Sequence, residues 1–311
     1  MRPPLSSRLL AGGSFLFFTV LGTLGYALVT TTLLLHKDEF QRKHNFYVLV
    51  WNLAAGDCLL LFAQYLVAIP LSFAGLPLYG DGWLIWALCQ LDNVCFRVCL
   101  FSSFFIALNR FLCFASPTWY DRIFEGRGVY ACVCVAWTLA VMKAGVVEAT
   151  GRYHLFDHEK FHFGIFKNLS AEQVAFNERW GFQFAQTWST NVFFYTPYYS
   201  LALYAGAYAA IRLSYASGTG SSAAHKNLGL EKSFLLQGLV INAVTQLEQI
   251  AFVYGRDLRQ LTCSAGSCLA AGLIIGNLII VNNAINPFVY LAINSKLRQH
   301  AAALLGYRKH N

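Results

Sequence analysis

The chain has 311 residues, of which 57% are hydrophobic, 16% aromatic and only 12% Asp, Glu, Lys or Arg. Soluble domains carry about 25% charged residues, so half that amount, with a mean hydropathy of +0.47, leaves too little charge to clothe a water-exposed surface and assigns the chain to a membrane. The net charge of +8 does not point to nucleic acid, because the 23 basic residues fall in the gaps between apolar stretches rather than in one patch.

Seven apolar segments follow one another, at 13–35, 46–70, 83–108, 129–147, 190–211, 233–254 and 268–293. Each is long enough for a helix, which needs about 20 residues to cross a ~30 Å hydrocarbon layer. The segments at 13–35, 190–211 and 268–293 hold no formal charge. A β-barrel fails, since its strands are about ten residues long and alternate apolar with polar, a pattern missing from GSFLFFTVLGTLGYALVTTTLLL. The expected fold is therefore all-α, a single seven-transmembrane bundle over 1–311.

The loops set the expected orientation. With the N-terminus outside, the inner loops and the tail from Asn294 hold thirteen basic residues and five acids, against eight and seven outside. That bias predicts N-out and C-in. No cleavable signal peptide is evident, so the first helix serves as its own targeting signal. The longest loop, from Thr150 to about Ser189, lies outside and contains Asn168-Leu169-Ser170, a glycosylation acceptor. The third inner loop contains a flexible Gly- and Ser-rich stretch. The tail 294–311 carries Leu297, Leu304 and Leu305 among basic residues and reads as a short amphipathic helix on the lipid interface.

Polar groups inside apolar helices are costly and are the first functional candidates. Asp57 sits in the middle of the second segment. Its candidate donors lie in the seventh, where Asn282 and Asn286 share a face, as do Asn283 and Pro287, with Tyr290 a turn further on. A static network and a polar hinge that rearranges both fit these residues. The third segment carries Asp92 and Arg97, five residues apart and so not on one face; Lys143 and Glu248 are candidate partners for each. Phe193, Phe194, Tyr195, Tyr198 and Tyr199 of the fifth segment and Asn242, Gln246 and Gln249 of the sixth offer walls for a mostly apolar pocket. Trp83, Trp86 and Trp188 read as interface anchors. The eight histidines lie mainly in loops and tail, where solvent exposure accounts for them, and six of the nine cysteines lie in or against apolar stretches, without zinc-ligand spacing.

Three signals occur in order: Asn109-Arg110-Phe111 ending the third segment, with Pro117 and Tyr120 beyond it; Trp137 in the fourth; and Asn286-Pro287-Phe288-Val289-Tyr290 closing the seventh before the basic tail. With LAAGD around Asp57, the chain resembles the rhodopsin-like G-protein-coupled receptors over essentially its whole length. The spellings LNRF, EKSFLLQ and NPFVYLAINSKLR are similar to those of nematode serpentine chemoreceptors, of class X or a neighbouring class.

The resemblance implies a role for each matching position. Arg110 would meet a heterotrimeric G protein, Asn109 standing in for the acid that normally restrains it. Asp57, Asn282, Asn286, Pro287 and Tyr290 would form the activation network. Trp137 would be a packing residue and Pro197 the bulge of the fifth helix. Asp92 would lie at the depth where relatives contact their ligand; Phe96 and, by the pocket-wall reading above, Tyr195, Tyr198, Tyr199, Gln246 and Gln249 are the other candidate ligand contacts. No cofactor is implied beyond a sodium ion near Asp57. The usual tie between the third helix and the second outer loop cannot form, since no cysteine lies between Cys134 and Cys263; a Cys263–Cys268 pair is one alternative. Tyr26 stands where the first helix of the family has an asparagine, and the sixth helix lacks the family's Trp and Pro.

The sequence carries no zinc-protease motif, serine elbow or phosphate loop, which argues against an enzyme. The absence of repeated halves argues against a transporter or channel. A chemosensory receptor for a small-molecule cue is the expectation, set among membrane lipids in the plasma membrane of a sensory-neuron cilium, with a peptide receptor as the alternative.

Overall fold

A computed structural model describes residues 2–37, 46–80, 82–167, 174, 177, 179, 182–216, 235–252, 254 and 265–306. The elements are α1 (Leu5–Leu35), α2 (Phe46–Ala74), α3 (Trp83–Ala115), α4 (Pro117–Phe124), α5 (Gly128–Ala149), β1 (Arg152–Asp157), β2 (His162–Lys167), α6 (Phe182–Ala216), α7 (235–252), α8 (Ala265–Ile293) and α9 (Ser295–Leu304). Among the described residues, α1, α2, α3, α5 and residues Leu269–Ile293 of α8 are long and apolar enough to cross a membrane. Helices α6 and α7 fall on the other two apolar segments.

Several helices outrun their predicted limits, each for a local reason. α1 starts at Leu5 rather than Gly13 because Arg2 and Arg8 reach the last carbonyls of α2. Arg8 Nη1 donates to Phe73 O at 3.1 Å and Ala74 O at 2.9 Å, and Arg2 Nη2 to Ala74 O at 2.9 Å. Such carbonyls have no partner within their own helix, and cations cap them well. α2 passes through Pro70 by way of a wide turn over Gln64–Ala68. Proline cannot donate to the carbonyl four residues back, and Tyr79 Oη donates to that freed Leu66 O at 2.5 Å. α3 continues beyond Asn109-Arg110-Phe111 to Ala115 and stops only at Ser116, where the following Pro117 disfavours helical backbone. The tail helix α9 forms as expected. Asn294 caps it by accepting from Leu297 N at 3.1 Å, and Leu297 and Ala301 are buried while Leu304 and Leu305 are exposed.

α3 lies at the centre, packed on α2, α5 and α6, and α1 packs along α8. The segment after α5 is not wholly loop: β1 and β2 form an antiparallel hairpin, with His154 opposite Ile165 and Phe156 opposite Phe163. Phe156, Phe161 and Phe163 are buried in a cluster with Phe15, Val67, Cys89 and Ile280, so the hairpin is docked into one end of the bundle. Its turn lies against α8 at Gly272 and Gly276, where any side chain would strike the Lys160 and Phe161 carbonyls. Only glycine permits that approach.

Candidate functional site

A cavity of about 170 Å³ lies beneath the hairpin, lined by residues of α2, α3, α5, α6, α7, α8 and both strands. Its wall is mainly aromatic and aliphatic, with Phe96, Phe163, Phe193, Phe194 and Phe252 prominent, and it contains Asp92, Asn93, Arg97, Lys143, His154, Glu248 and Gln249. An apolar chamber with a few polar handles is the usual form of a small-molecule site.

Each polar group has a specific setting. Asp92 Oδ1 accepts from Gln64 Nε2 at 3.1 Å, and Asp92 Oδ2 pairs with His154 Nε2 at 3.2 Å. The His154 ring stacks on Phe163 with centroids 5.4 Å apart. Arg97 Nη1 donates to the backbone and side-chain oxygens of Asn93, and its guanidinium lies over the Phe193 ring at 5.5 Å. Lys143 Nζ donates to Thr190 Oγ1 at 3.0 Å and lies 5.9 Å from the same ring. Pro197 leaves the Phe193 carbonyl without its helical donor, and Gln249 Nε2 reaches it at 3.5 Å. Glu248 hydrogen-bonds Asn282 of α8 through one oxygen.

Asp92, Phe96 and Gln249 therefore line the cavity, together with Phe193 and Phe194. Tyr195, Tyr198 and Tyr199 do not: they are 48%, 41% and 58% exposed on the outer surface of α6, one residue or a turn away from the phenylalanines that face inward. Gln246 is buried but is not part of the wall. The carboxylate of Asp92 meets neither Lys143 nor Glu248. It is held by Gln64, on the wide turn of α2, and by His154 from the hairpin, so His154 is not a solvated loop histidine. The missed signal was the alternation in RYHLFD and HFGIFK, which is strand-like at period two. Trp86 is more than an interface anchor, since its Nε1 donates to Glu148 Oε1 at 2.8 Å, where Gln90 also donates.

A second polar centre lies deeper in the bundle. Asp57 Oδ2 accepts from Tyr26 Oη and, at 2.7 Å, from Asn286 Nδ2, while Cys99 Sγ lies 3.4 Å from Oδ1. Tyr26 thus supplies a donor from α1. These neighbours turn protons toward the carboxylate, whereas a hard cation needs a shell of oxygen lone pairs, so the residues around Asp57 do not fit a sodium ion. Asn282 accepts from Thr245 Oγ1 at 3.1 Å and joins α7 to α8. Trp137 is a donor as well as a packing residue: its Nε1 reaches Asn52 Oδ1 at 2.9 Å, and Asn52 Nδ2 reaches Ser102 Oγ at 2.7 Å, linking α5, α2 and α3.

At the far end of the bundle from the hairpin, Arg110 is 6% exposed and its guanidinium lies 3.6 Å from the Phe46 ring centroid. Asn109 is buried beside Tyr120. Tyr290 packs in the cluster of Phe46, Val50, Ile106 and Leu297, and Pro287 lies inside α8 without ending it. Asn168 and Cys263 lie outside the described residues, as do the side chains of Cys268 and Trp188.

The family model described as serpentine type 7TM GPCR chemoreceptor Srx matches residues 16–265. No curated protein matches the chain.

Proposed function

The chain belongs to the serpentine 7TM GPCR chemoreceptor family Srx, and from that premise we propose that it binds a small-molecule cue in the cavity beneath the hairpin and activates a heterotrimeric G protein at the opposite face. It is a multi-pass membrane protein. In this reading all seven apolar segments span, the hairpin end faces outward and the tail helix lies on the inner lipid surface, in the plasma membrane of a sensory cell.

The observation that carries the reading is the cavity of about 170 Å³, with apolar walls and few polar handles, on the same helices that hold Asp57 and Arg110. The ligand acts by population shift: it binds one arrangement of the helices better than the other, and the difference in affinity sets how far the bundle moves. Arg110, stacked on Phe46, must leave that ring to meet a partner protein. The basic loops between the spans suit both an acidic protein surface and anionic lipid.

The test is guanine-nucleotide exchange on a panel of G proteins, with membranes carrying wild type, Arg110→Ala or Val147→Trp, which fills the cavity from its α5 wall, at equal surface expression. Fractionated extracts and volatile compounds serve as stimuli. Stimulated exchange in the wild type that is lost in both variants is the expected result. Exchange that survives Arg110→Ala unchanged would rule out the coupling role of that residue, and exchange indifferent to Val147→Trp would rule out the cavity.

A further inference from the structure

The cavity's polar groups differ from wall to wall. The cations come from α3 and α5, as Arg97 and Lys143, and both lie against the Phe193 ring. A guanidinium has five N–H donors, and among the described residues Arg97 spends only Nη1, on Asn93. The acid nearest in sequence, Asp92, already accepts from Gln64 and pairs with His154. On the α7 wall the pattern reverses. Glu248 and Gln249 are 5% and 7% exposed, and Glu248 Oε2 and Gln249 Oε1 have no hydrogen-bond partner among the described residues. Buried acceptors left without a donor are costly, and these two belong to residues that line the cavity.

We infer that the cavity takes a small organic acid whose carboxylate meets Arg97 and Lys143 and whose hydroxyl or amino group, across an apolar middle, donates to Glu248 or Gln249. The inference rests on the reading of this cavity as the ligand site. Arg97 supplies the planar fork that matches a carboxylate. Phe193 backs both cations, so the ligand's apolar portion enters beside a ring that already attracts positive charge. Asp92 is a positioning residue: it holds the hairpin through His154 rather than gripping an ammonium.

The test uses the full chain in lipid nanodiscs and four aryl probes of similar size. Phloretate carries both a carboxylate and a phenol, hydrocinnamate only the carboxylate, tyrosol only hydroxyls, and tyramine a phenol with an ammonium. The expected order places phloretate first, hydrocinnamate and tyrosol each about tenfold weaker, and tyramine weakest, since each lost partner of a buried polar group is worth about that factor. Arg97→Gln removes the preference for phloretate over tyrosol without weakening tyrosol, and Arg97→Lys, which keeps the charge, restores part of it. The double change Glu248→Leu with Gln249→Leu closes the gap between phloretate and hydrocinnamate. A thermal unfolding curve on each variant separates loss of fold from loss of contact.

Tyrosol or tyramine binding as tightly as phloretate would overturn the inference and leave the cavity as a ligand site. So would an Arg97→Gln protein that keeps the full carboxylate preference. If no probe binds while Val147→Trp still abolishes extract-driven exchange, the ligand class is wrong and the receptor reading stands. If no probe binds and Val147→Trp changes nothing, both fall.

Discussion

Beneath the hairpin the helices line a cavity of about 170 Å³, whereas the voids among Phe46, Tyr204, Gln237 and Tyr290 at the far end are about 20 Å³ each. The difference follows from what lines them. At the hairpin end Asp92, Arg97, Lys143, His154 and Glu248 stand among aromatic rings, and ionic groups keep apolar surfaces from closing because each needs polar partners. At the far end Arg110 lies over the Phe46 ring, and Ser103 and Gln237 stand among mostly aliphatic and aromatic side chains. In the proposed reading the roomier end takes the ligand and the packed end must open for a partner, so the first can be occupied before the second opens.

Asp57 lies between the two ends and gives the sharpest way to break that contrast. Asp57→Ala strands the Tyr26 and Asn286 donors in the interior, and the expected loss is about 3 kcal/mol in thermal unfolding of the purified protein. Asp57→Asn, which keeps one acceptor, loses less. Equal, small losses from both would mean that the ends are not joined through this carboxylate.

Next in size is the seat of the hairpin. Gly276→Val pushes against the Phe161 carbonyl and the Phe15 ring, with an expected cost of about 2 kcal/mol. Faster hydrogen exchange in β1 and β2 than in α4 and α9 is the signature. Gly13→Val, where nothing lies within 4 Å, is the matched control; if it behaves like Gly276→Val, the effect is not one of docking.

His154→Ala removes one of the two partners of Asp92. It should cost roughly 1–2 kcal/mol and weaken ligand binding beneath the hairpin. Exchange measured without ligand should stay unchanged, since Arg110 lies eighteen residues along α3 from Asp92, the residue that loses its partner. A rise in unstimulated exchange would show that the two ends are coupled through the hairpin itself.

The smallest effect concerns the hairpin turn. Burial pushes the Asp157 carboxyl upward, but Lys160 Nζ at 2.7 Å, the charge of nearby His162 and the Lys160 backbone N–H outweigh it and hold the carboxyl below the ordinary aspartate range. A depressed folded-state value stabilises the turn above the unfolded value of about 3.9 and loses that contribution as pH falls through the folded one. Hairpin amide protection should therefore be flat from neutral pH down to about 5 and decline below about 4, a decline that Asp157→Asn abolishes.

Hydropathy alone determined that this is a membrane protein and where its apolar helices lie, because lipid offers no partner to backbone N–H and C=O groups and a long apolar run has few options but a helix. The pairing of Asp57 with Asn286 was also legible, since a carboxylate in an apolar helix must find donors and the seventh segment held the obvious ones. What the chain alone could not settle was rotation about each helix axis. Tyr195, Tyr198 and Tyr199 face outward while Phe193 and Phe194 face the cavity, and a turn of about 100° per residue separates those outcomes. Nor could it show which side chains meet across long separations: Tyr26 with Asp57, Asn52 with Trp137, or His154 with Asp92. Those contacts exist because the hairpin folds back onto the bundle and two glycines of α8 let it come close, and only the packed tertiary structure brings such distant residues within reach.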